Sequence, residues 1–355
     1  MPCQSYTVDG NREFLASLNE RVCSERIPLC GSIDLTDACN LDCVHCYVRK
    51  SCAGSELSTE QVKSYIDQMA EAGCLFLLLT GGEPLLRDDF TDIYKHAKYV
   101  GLVLSIFTNG TLIDEQMADM MAELPPHIVE ISIYGATNDA HDKVTGVEGS
   151  FERSMNGFRL LKERGVDVLL KTILMKLNKD ELQGMLEIAD INGSRFRVDG
   201  AIFPKLDGDK SPLDLRLSPE EVVEREFLLP GRAGHWCEFE KKVGKLKSSE
   251  SLYDCGAGVS CFHITANGVM KPCIMAQEPA YDLKKVEFND AWAALAEISD
   301  RKPGPDYPCN DCERRLICDN CPGFFGLENG AEELYSTYVC DIAREREKRI
   351  ALVNS

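Results

Sequence analysis

Short apolar runs alternate with amphipathic stretches along the middle of this chain. The runs 31–36 (GSIDLT), 75–80 (LFLLLT), 103–108 (VLSIFT), 128–134 (IVEISIY), 167–175 (DVLLKTILM) and 196–203 (FRVDGAIF) read as strands. Between and around them, 59–72, 89–100, 113–123, 151–164 and 179–190 repeat their apolar positions at the helical period. Helix starts carry local chemistry: Ser58 with Gln61 and Ser218 with Glu221 fit a capping box, and Pro219 takes the first helical position. About six β/α units predict a parallel sheet, closed or partly closed as a (β/α) barrel. In such barrels the chemistry sits where strands end, so the residues after each run are the ones to examine.

Composition changes this picture in two ways. The 39 basic and 58 acidic residues give a formal charge of −19, which repels a phosphate backbone, so a nucleic-acid partner is not expected. No window approaches the roughly 18–20 apolar residues of a membrane span, and no basic segment followed by an apolar run opens the chain. A soluble, cytoplasmic protein is expected. Seventeen cysteines then argue for metal rather than disulfides, because the cytosol keeps thiols reduced. They are unevenly placed: three lie in Cys39–Cys46, eight in Cys255–Cys340, and none between Gly81 and Trp236.

The first group, in "DACNLDCVHCYVRK", has the spacing C-x3-C-x2-C on the loop after the first strand. A complete [4Fe-4S] site takes four thiolates, so three leave one iron open, as catalytic metal sites keep a position for substrate. A zinc ion completed by His45 is the alternative, although so short a loop would crowd a tetrahedral ion. After the second strand comes "TGGEP", where Gly81 and Gly82 let the backbone approach a ligand and Glu83 offers a carboxylate to a protonated amine. Taken alone, the tetrapeptide GGEP within it also fits a plain turn before a helix.

These two motifs, in this order and context, resemble the radical S-adenosylmethionine (SAM) superfamily, whose signature is C-x3-C-x-Φ-C after the first barrel strand and GGEP or a variant after the second. The resemblance implies that Cys39, Cys43 and Cys46 hold a SAM-binding [4Fe-4S] cluster and that Gly81, Gly82, Glu83 and Pro84 form the turn meeting the SAM amino group. It implies that His45, at the Φ position, lies near the adenine, with Tyr47 directly after the last cysteine. Asn109 and Ser132 stand at the ends of later strands, where the family uses polar residues, and Ser132 would reach the SAM ribose or carboxylate. Lys143 stands where related enzymes often carry an Arg contacting that carboxylate; lysine keeps the charge and loses the bidentate fork. An external reducing donor, a flavodoxin or ferredoxin, is implied as a partner.

The second group runs C-x5-C-x11-C, then C-x2-C-x5-C-x2-C, then a cysteine eighteen residues on. Eight thiolates match two complete four-iron clusters, with zinc knuckles as the alternative, although five residues between pairs is fewer than finger or ribbon sites use. The block resembles the SPASM domain, a C-terminal extension carrying two auxiliary [4Fe-4S] clusters. That resemblance implies an interleaved assignment: Cys255, Cys261, Cys273 and Cys321 to one cluster, Cys309, Cys312, Cys318 and Cys340 to the other. The last pair has two intervening residues where three are usual, and Cys237 is a spare nearby. Cys3, Cys23, Cys30, Cys52, Cys74 and Cys237 have no metal spacing and read as small buried side chains. The expected organisation is an N-terminal segment 1–30, a partial (β/α)6 radical SAM barrel 31–235, a bridging segment 236–254, a cysteine-rich SPASM domain 255–345 and a tail 346–355.

Enzymes with this pairing mostly act on peptides, so the expected function is hydrogen abstraction from a ribosomally synthesised peptide, giving a crosslink, an epimer or an oxidised residue. Sulfatase maturation fits less well, since Ile274 follows the third auxiliary cysteine where those enzymes carry an Asp base. A sugar or amino-alcohol dehydrogenase or epimerase is the alternative, and a non-catalytic iron–sulfur carrier a more remote one. Only about 30 residues precede the first strand, so leader recognition would fall to a separate leader-binding protein or to the enzyme's own surfaces, and the acidic charge suits a basic leader. No acid or base stands out: Tyr134, His141, Tyr253 and His263 lie near motif ends and read as structural.

Overall fold

The computed structural model describes residues 12–48, 55–243 and 251–354. Helix α1 (Arg12–Ser24) leads into six β/α units: β1 (Cys30–Asp34), α2 (Thr59–Glu71), β2 (Phe76–Thr80), α3 (Phe90–Tyr99), β3 (Val103–Thr108), α4 (Glu115–Glu123), β4 (Ile128–Ser132), α5 (Asn138–Thr145), α6 (Ser150–Glu163), β5 (Val168–Ile173), α7 (Leu182–Ile191) and β6 (Arg195–Asp199). Helices α8 (Pro219–Glu226) and α9 (Arg232–Val243) follow. The cysteine-rich part adds β7 (Cys261–Ile264), β8 (Val269–Lys271), β9 (Tyr281–Asp282), α10 (Phe288–Ala294), α11 (Pro322–Asn329) and α12 (Thr337–Asn354). All six expected strands form. Both capping boxes form as well, at Ser58/Gln61 and Ser218/Glu221.

One nine-stranded sheet runs β6-β5-β4-β3-β2-β1-β7-β8-β9. Pairing is parallel from β6 through β1 to β7 and antiparallel beyond. The barrel is therefore open, with β6 and β9 as edges. The cysteine-rich region is not a separate layer: β7 pairs with β1 in the register Cys30↔Cys261 and Ser32↔His263, so the barrel wall passes directly into it.

The strands explain where a ligand can go. In β2, β3 and β5 every second residue is fully buried and the alternate ones only partly. Leu77, Leu79, Leu104, Ile106 and Leu170 face the helices and join Ile66, Phe90, Ile93, Tyr94, Phe158 and Leu161 in the main core. Burying each such large side chain contributes roughly 1.5–3 kcal/mol. The opposite face carries Leu78, Ser105, Phe107, Leu169, Lys171 and Ile173, half-buried along the concave side of the open barrel. That concave face is a trough rather than a second core.

The C-terminal helices lock onto the barrel through buried charge. Arg346, only 4% exposed, bonds Glu226 at 3.0 Å and lies 4.4 Å from the Trp236 ring, joining α12 to α8 and α9. Arg216 holds Glu328 of α11 at 2.7 Å. Residues 346–354 are the last turns of α12. Among the described residues no helix is long and apolar enough to cross a membrane.

Candidate functional site

Cys39, Cys43 and Cys46 lie half-buried on the loop that leaves the C-terminal end of β1. The turn after β2 braces that loop: the Gly82 amide donates to the Thr36 carbonyl and the Glu83 amide to the Ala38 carbonyl, each at 2.8 Å. A Cβ on Gly82 would sit 2.2 Å from the Ala38 oxygen, and one on Gly81, whose φ is +126°, 2.3 Å from the Thr36 oxygen. The two glycines are needed because the backbones touch there. From the far side the Asp42 and Val44 amides donate to Thr145 and Val144 at the end of α5.

Glu83 is fully buried and its carboxylate is engaged inside the protein. It accepts hydrogen bonds from the Thr108 hydroxyl (2.8 Å), the Asn109 amide (2.7 Å) and the Leu85 amide (3.1 Å). Burial nonetheless pushes its pKa up to about 7. This side chain ties the ends of β2 and β3 together, and what Gly81–Glu83 can present to a ligand is backbone. No hydrogen bond from the described residues ends on the Gly81 or Gly82 carbonyl. Pro84 starts a single 3₁₀ turn below it. Asn109 donates to Asn40 Oδ1 at 2.8 Å and places its Nδ2 4.0 Å from Cys39 Sγ, so the end of β3 leans on the cysteine loop.

His45 is buried beside Tyr134, edge to face at 4.6 Å between ring centres. Its Nδ1 has no hydrogen-bond partner among the described residues, and burial pushes the imidazole down to about 4, so it is a neutral ring. Tyr47 is held protonated by burial and by the nearby charges of Asp34 and Cys46. Ser132 ends β4 on the concave face. Lys143 is exposed on α5. Of the groups read as structural, His141 accepts from the Tyr134 amide at 3.1 Å and Tyr253 donates to Glu332 at 2.8 Å.

Two charged groups lie on the concave face, one around His263, which was read as structural, and one of Glu130, Lys171 and Arg197, which the motif reading missed. Next to the cysteine loop, His263 of β7 bridges Ser32 (3.0 Å) and Asp34 (3.1 Å) of β1. Further along, Glu130 of β4 meets Arg197 of β6 at 2.9 Å and Lys171 of β5 at 3.4 Å, above Phe107. A sequence signal existed for two of these: Glu130 in "IVEIS" and Lys171 in "VLLKTI" are each a charge alone inside an apolar run, whereas Arg197 sits among the other charges of "RFRVD".

The structure sorts the C-terminal cysteines into two groups. Cys309, Cys312, Cys318 and Cys340 line one recess. Burial, then the charges of Asp319 and of the other three thiols, push Cys318 up to about 12. Cys321 belongs elsewhere: after burial, the groups that raise it, to about 11, are Cys273 and Cys255. Asp319, in the left-handed region at φ +50°, turns the chain between Cys318 and Cys321. Cys261 lies against Ser260 at the start of β7, with its Sγ 3.0 Å from where a Gly256 Cβ would be. Among the described residues no three His, Cys, Asp or Glu side chains are spaced for a single ion, so these groupings are of proximity. Of the remaining cysteines, Cys74 and Cys237 are buried, Cys30 is half-buried and Cys23 is exposed; Cys3 and Cys52 lie outside the described residues.

Comparison with known proteins places this geometry. The profile of the Radical SAM superfamily matches residues 33–189. The pre-heme d1 synthase of Dinoroseobacter shibae is 37% identical over 323 residues, 80% of this chain and 79% of that protein. The PqqA peptide cyclase of Bradyrhizobium diazoefficiens is 26% identical over 323 residues, 82% and 80% of the two chains. SuiB of Streptococcus suis, solved bound to its precursor peptide SuiA, superposes with a TM-score of 0.72 at 16% identity, covering 94% of this chain and 82% of that one. The chain belongs to the radical SAM superfamily. It is an enzyme of that group, whose members use a [4Fe-4S] cluster and SAM.

Proposed function

We propose that Cys39, Cys43 and Cys46 hold the SAM-binding cluster, that the Gly81–Glu83 backbone receives the SAM amino group, and that the substrate is a ribosomally synthesised peptide lying along the concave trough. The residues fit the cofactors: three half-buried thiols share one loop, the adjoining glycines leave no room for a Cβ, and the buried His45 Nδ1 lacks a partner. Bound there, cluster and SAM would supply the radical chemistry that removes a hydrogen atom from substrate. The chain's own part is positional: Glu83 clamps the strand ends, Asn109 steadies the cysteine loop, Tyr47 directly follows that loop, and Ser132 ends β4 on the concave face. Cys255, Cys261, Cys273 and Cys321 hold one auxiliary [4Fe-4S] cluster, and Cys309, Cys312, Cys318 and Cys340 a second; a flavodoxin or ferredoxin supplies electrons.

The observation that carries the peptide reading is the sheet itself. It is open at both edges, and its concave face runs without a break from β6 through β1 to β7 and β8, beside the first auxiliary cysteines. An extended chain can cross such a trough with length on either side of the reacting residue, whereas a small ligand needs a closed pocket. The test incubates reconstituted enzyme with a peptide encoded beside its gene in deuterated solvent, following peptide mass and 5′-deoxyadenosine together. The expected result is loss of mass or solvent deuterium at one or a few residues. A second reading, a small-molecule substrate, is favoured by the 37% identity to pre-heme d1 synthase across four-fifths of both chains. SAM cleavage stimulated by a small molecule and by no such peptide decides for it.

A further inference from the structure

The trough contains a cationic group that neither the cysteine loop nor the SAM-binding turn uses. Lys171 stands on the concave face of β5, directly across from Ser132 on one side and Arg197 on the other. Its Nζ lies 2.9 Å from the centre of the Phe107 ring, and Arg197 lies 5.5 Å from the same ring. Both side chains are largely buried, at 13% and 20% exposure, and they share one buried carboxylate, Glu130. Glu130 receives Arg197 at 2.9 Å and 3.2 Å and is met by Lys171 at 3.4 Å, too long for a strong bond.

The donor and acceptor count does not close. An ammonium brings three donors and a guanidinium five, against two oxygens on Glu130. Arg197 Nε and Glu130 Oε2 are both buried with no hydrogen-bond partner among the described residues, so the two cations approach that oxygen without a well-aimed hydrogen bond and the cluster is left incomplete; Asp199, the next carboxylate, is 3.6 Å from Arg197 Nε and half exposed, where water screens it. A buried cation left short of acceptors is costly unless an anion completes it. The surroundings make this unusual, because the chain as a whole carries −19 and yet gathers two cations on its concave wall around one buried carboxylate, with only the half-exposed Asp199 besides. Burial also draws the Lys171 pKa down to about 7, which an arriving anion would reverse.

We propose that Lys171 and Arg197 form a receiving site for a carboxylate of the substrate, with Phe107 packing against the methylenes that carry it. The inference rests on the trough being the substrate site; it names the acidic group that either a glutamyl-containing peptide or a carboxylated small molecule would present. Arginine and lysine suit the task, since a planar fork pairs with a carboxylate bidentately while the ammonium adds a third bond. Glu130 holds the two cations in place and competes for them when substrate is absent.

The other carboxylate that could arrive here is that of SAM, and the experiment separates the two. Anaerobically reconstituted full-length enzyme is titrated with glutarate, and in parallel with its neutral diamide, by saturation-transfer NMR, with and without SAM. Glutarate is expected to bind and the diamide not, with binding unchanged by saturating SAM. Lys171→Met and Arg197→Gln should each weaken glutarate about tenfold or more, and Lys171→Arg should retain it. Glu130→Gln, which removes the competing anion, should tighten it several-fold, a gain that misfolding does not produce. Equilibrium dialysis should give Lys171→Met a SAM affinity within about twofold of wild type. Absence of glutarate binding, equal binding of the diamide, or indifference of glutarate to all three positions would overturn the site. Displacement of glutarate by SAM, or a tenfold loss of SAM affinity in Lys171→Met, would give the cations to the cofactor and also overturn it. Glutarate held at Lys171 by an enzyme that modifies no peptide leaves this site standing and removes only the peptide reading.

Discussion

The two cysteine regions gather their thiols by opposite routes. Cys39, Cys43 and Cys46 fall within eight residues on one loop, and their neighbours Gly82, Glu83 and Asn109 come from the ends of adjacent parallel strands. In the C-terminal region, Cys255, Cys273 and Cys321 approach one another across more than sixty residues, and Cys318 parts from Cys321 although only two residues intervene. The first site is assembled by local sequence upon a regular scaffold. The second is assembled by the path of an irregular chain, held by small cores around Phe324 and Phe325 and around Tyr253 and Tyr307. A loop on a parallel sheet can lose a ligand and keep its shape, whereas a chain threaded around its ligands depends on them for its fold.

The largest expected effect tests that contrast directly. Replacing Cys39, Cys43 and Cys46 by Ala should abolish reductive SAM cleavage, read as 5′-deoxyadenosine, while leaving the melting of the barrel nearly unchanged. Replacing Cys312 and Cys318 by Ala should leave measurable cleavage, remove substrate turnover and expose the C-terminal region to limited proteolysis. Equal loss of cleavage in both would erase the distinction. Iron content sharpens it: wild type should hold about 12 iron and 12 sulfide per chain, with each variant lower by about four and zinc well below one equivalent.

Gly82→Ala should damage the first region alone. Its Cβ must push aside the Ala38 carbonyl, at a cost of about 1–3 kcal/mol, so SAM affinity falls while the iron bound by the C-terminal region stays. Glu83→Gln keeps the size of the side chain but turns an amide NH2 toward one of its three donors, costing about 1–3 kcal/mol in urea melts. The pH dependence has a definite sign. Burial raises the folded pKa of Glu83 to about 7, above its ordinary value of about 4.3, so the folded state holds this proton more tightly than the unfolded one. Its stability contribution is present in full below about pH 4.3 and declines as pH rises through 7, and the difference between wild type and Glu83→Gln should fall across that window. Lys143→Ala should do least. An exposed charge contributes at most about 1 kcal/mol, so SAM affinity should change by less than about fivefold.

Particular residues show how far the sequence could be read. The short apolar runs "LFLLLT" and "VLSIFT", the period of 3.6 in 59–72 and the capping residues Ser58 and Ser218 placed strands and helices close to where they stand. Such patterns are legible because burial of alternate or every third to fourth side chain is a local demand. The short helix α5 went unread because it offers few apolar positions, being held by the Thr137 cap and by Gly146 in the left-handed region. The C-x3-C-x2-C loop and TGGEP were legible because both act through contiguous backbone.

The sequence by itself determined the six β/α units, the class of cofactor its cysteine loop belongs with, and the acidic character of the whole. Only the tertiary structure decided that β7 continues the barrel wall from β1, that Glu83 faces inward while the backbone beside it faces the site, and that Glu130, Lys171 and Arg197 meet across three strands. The physical reason is common to all three. Strand register and the direction of a buried charge are set by partners distant in sequence, and they follow from which arrangement leaves the fewest polar groups unpaired when every strand is in place.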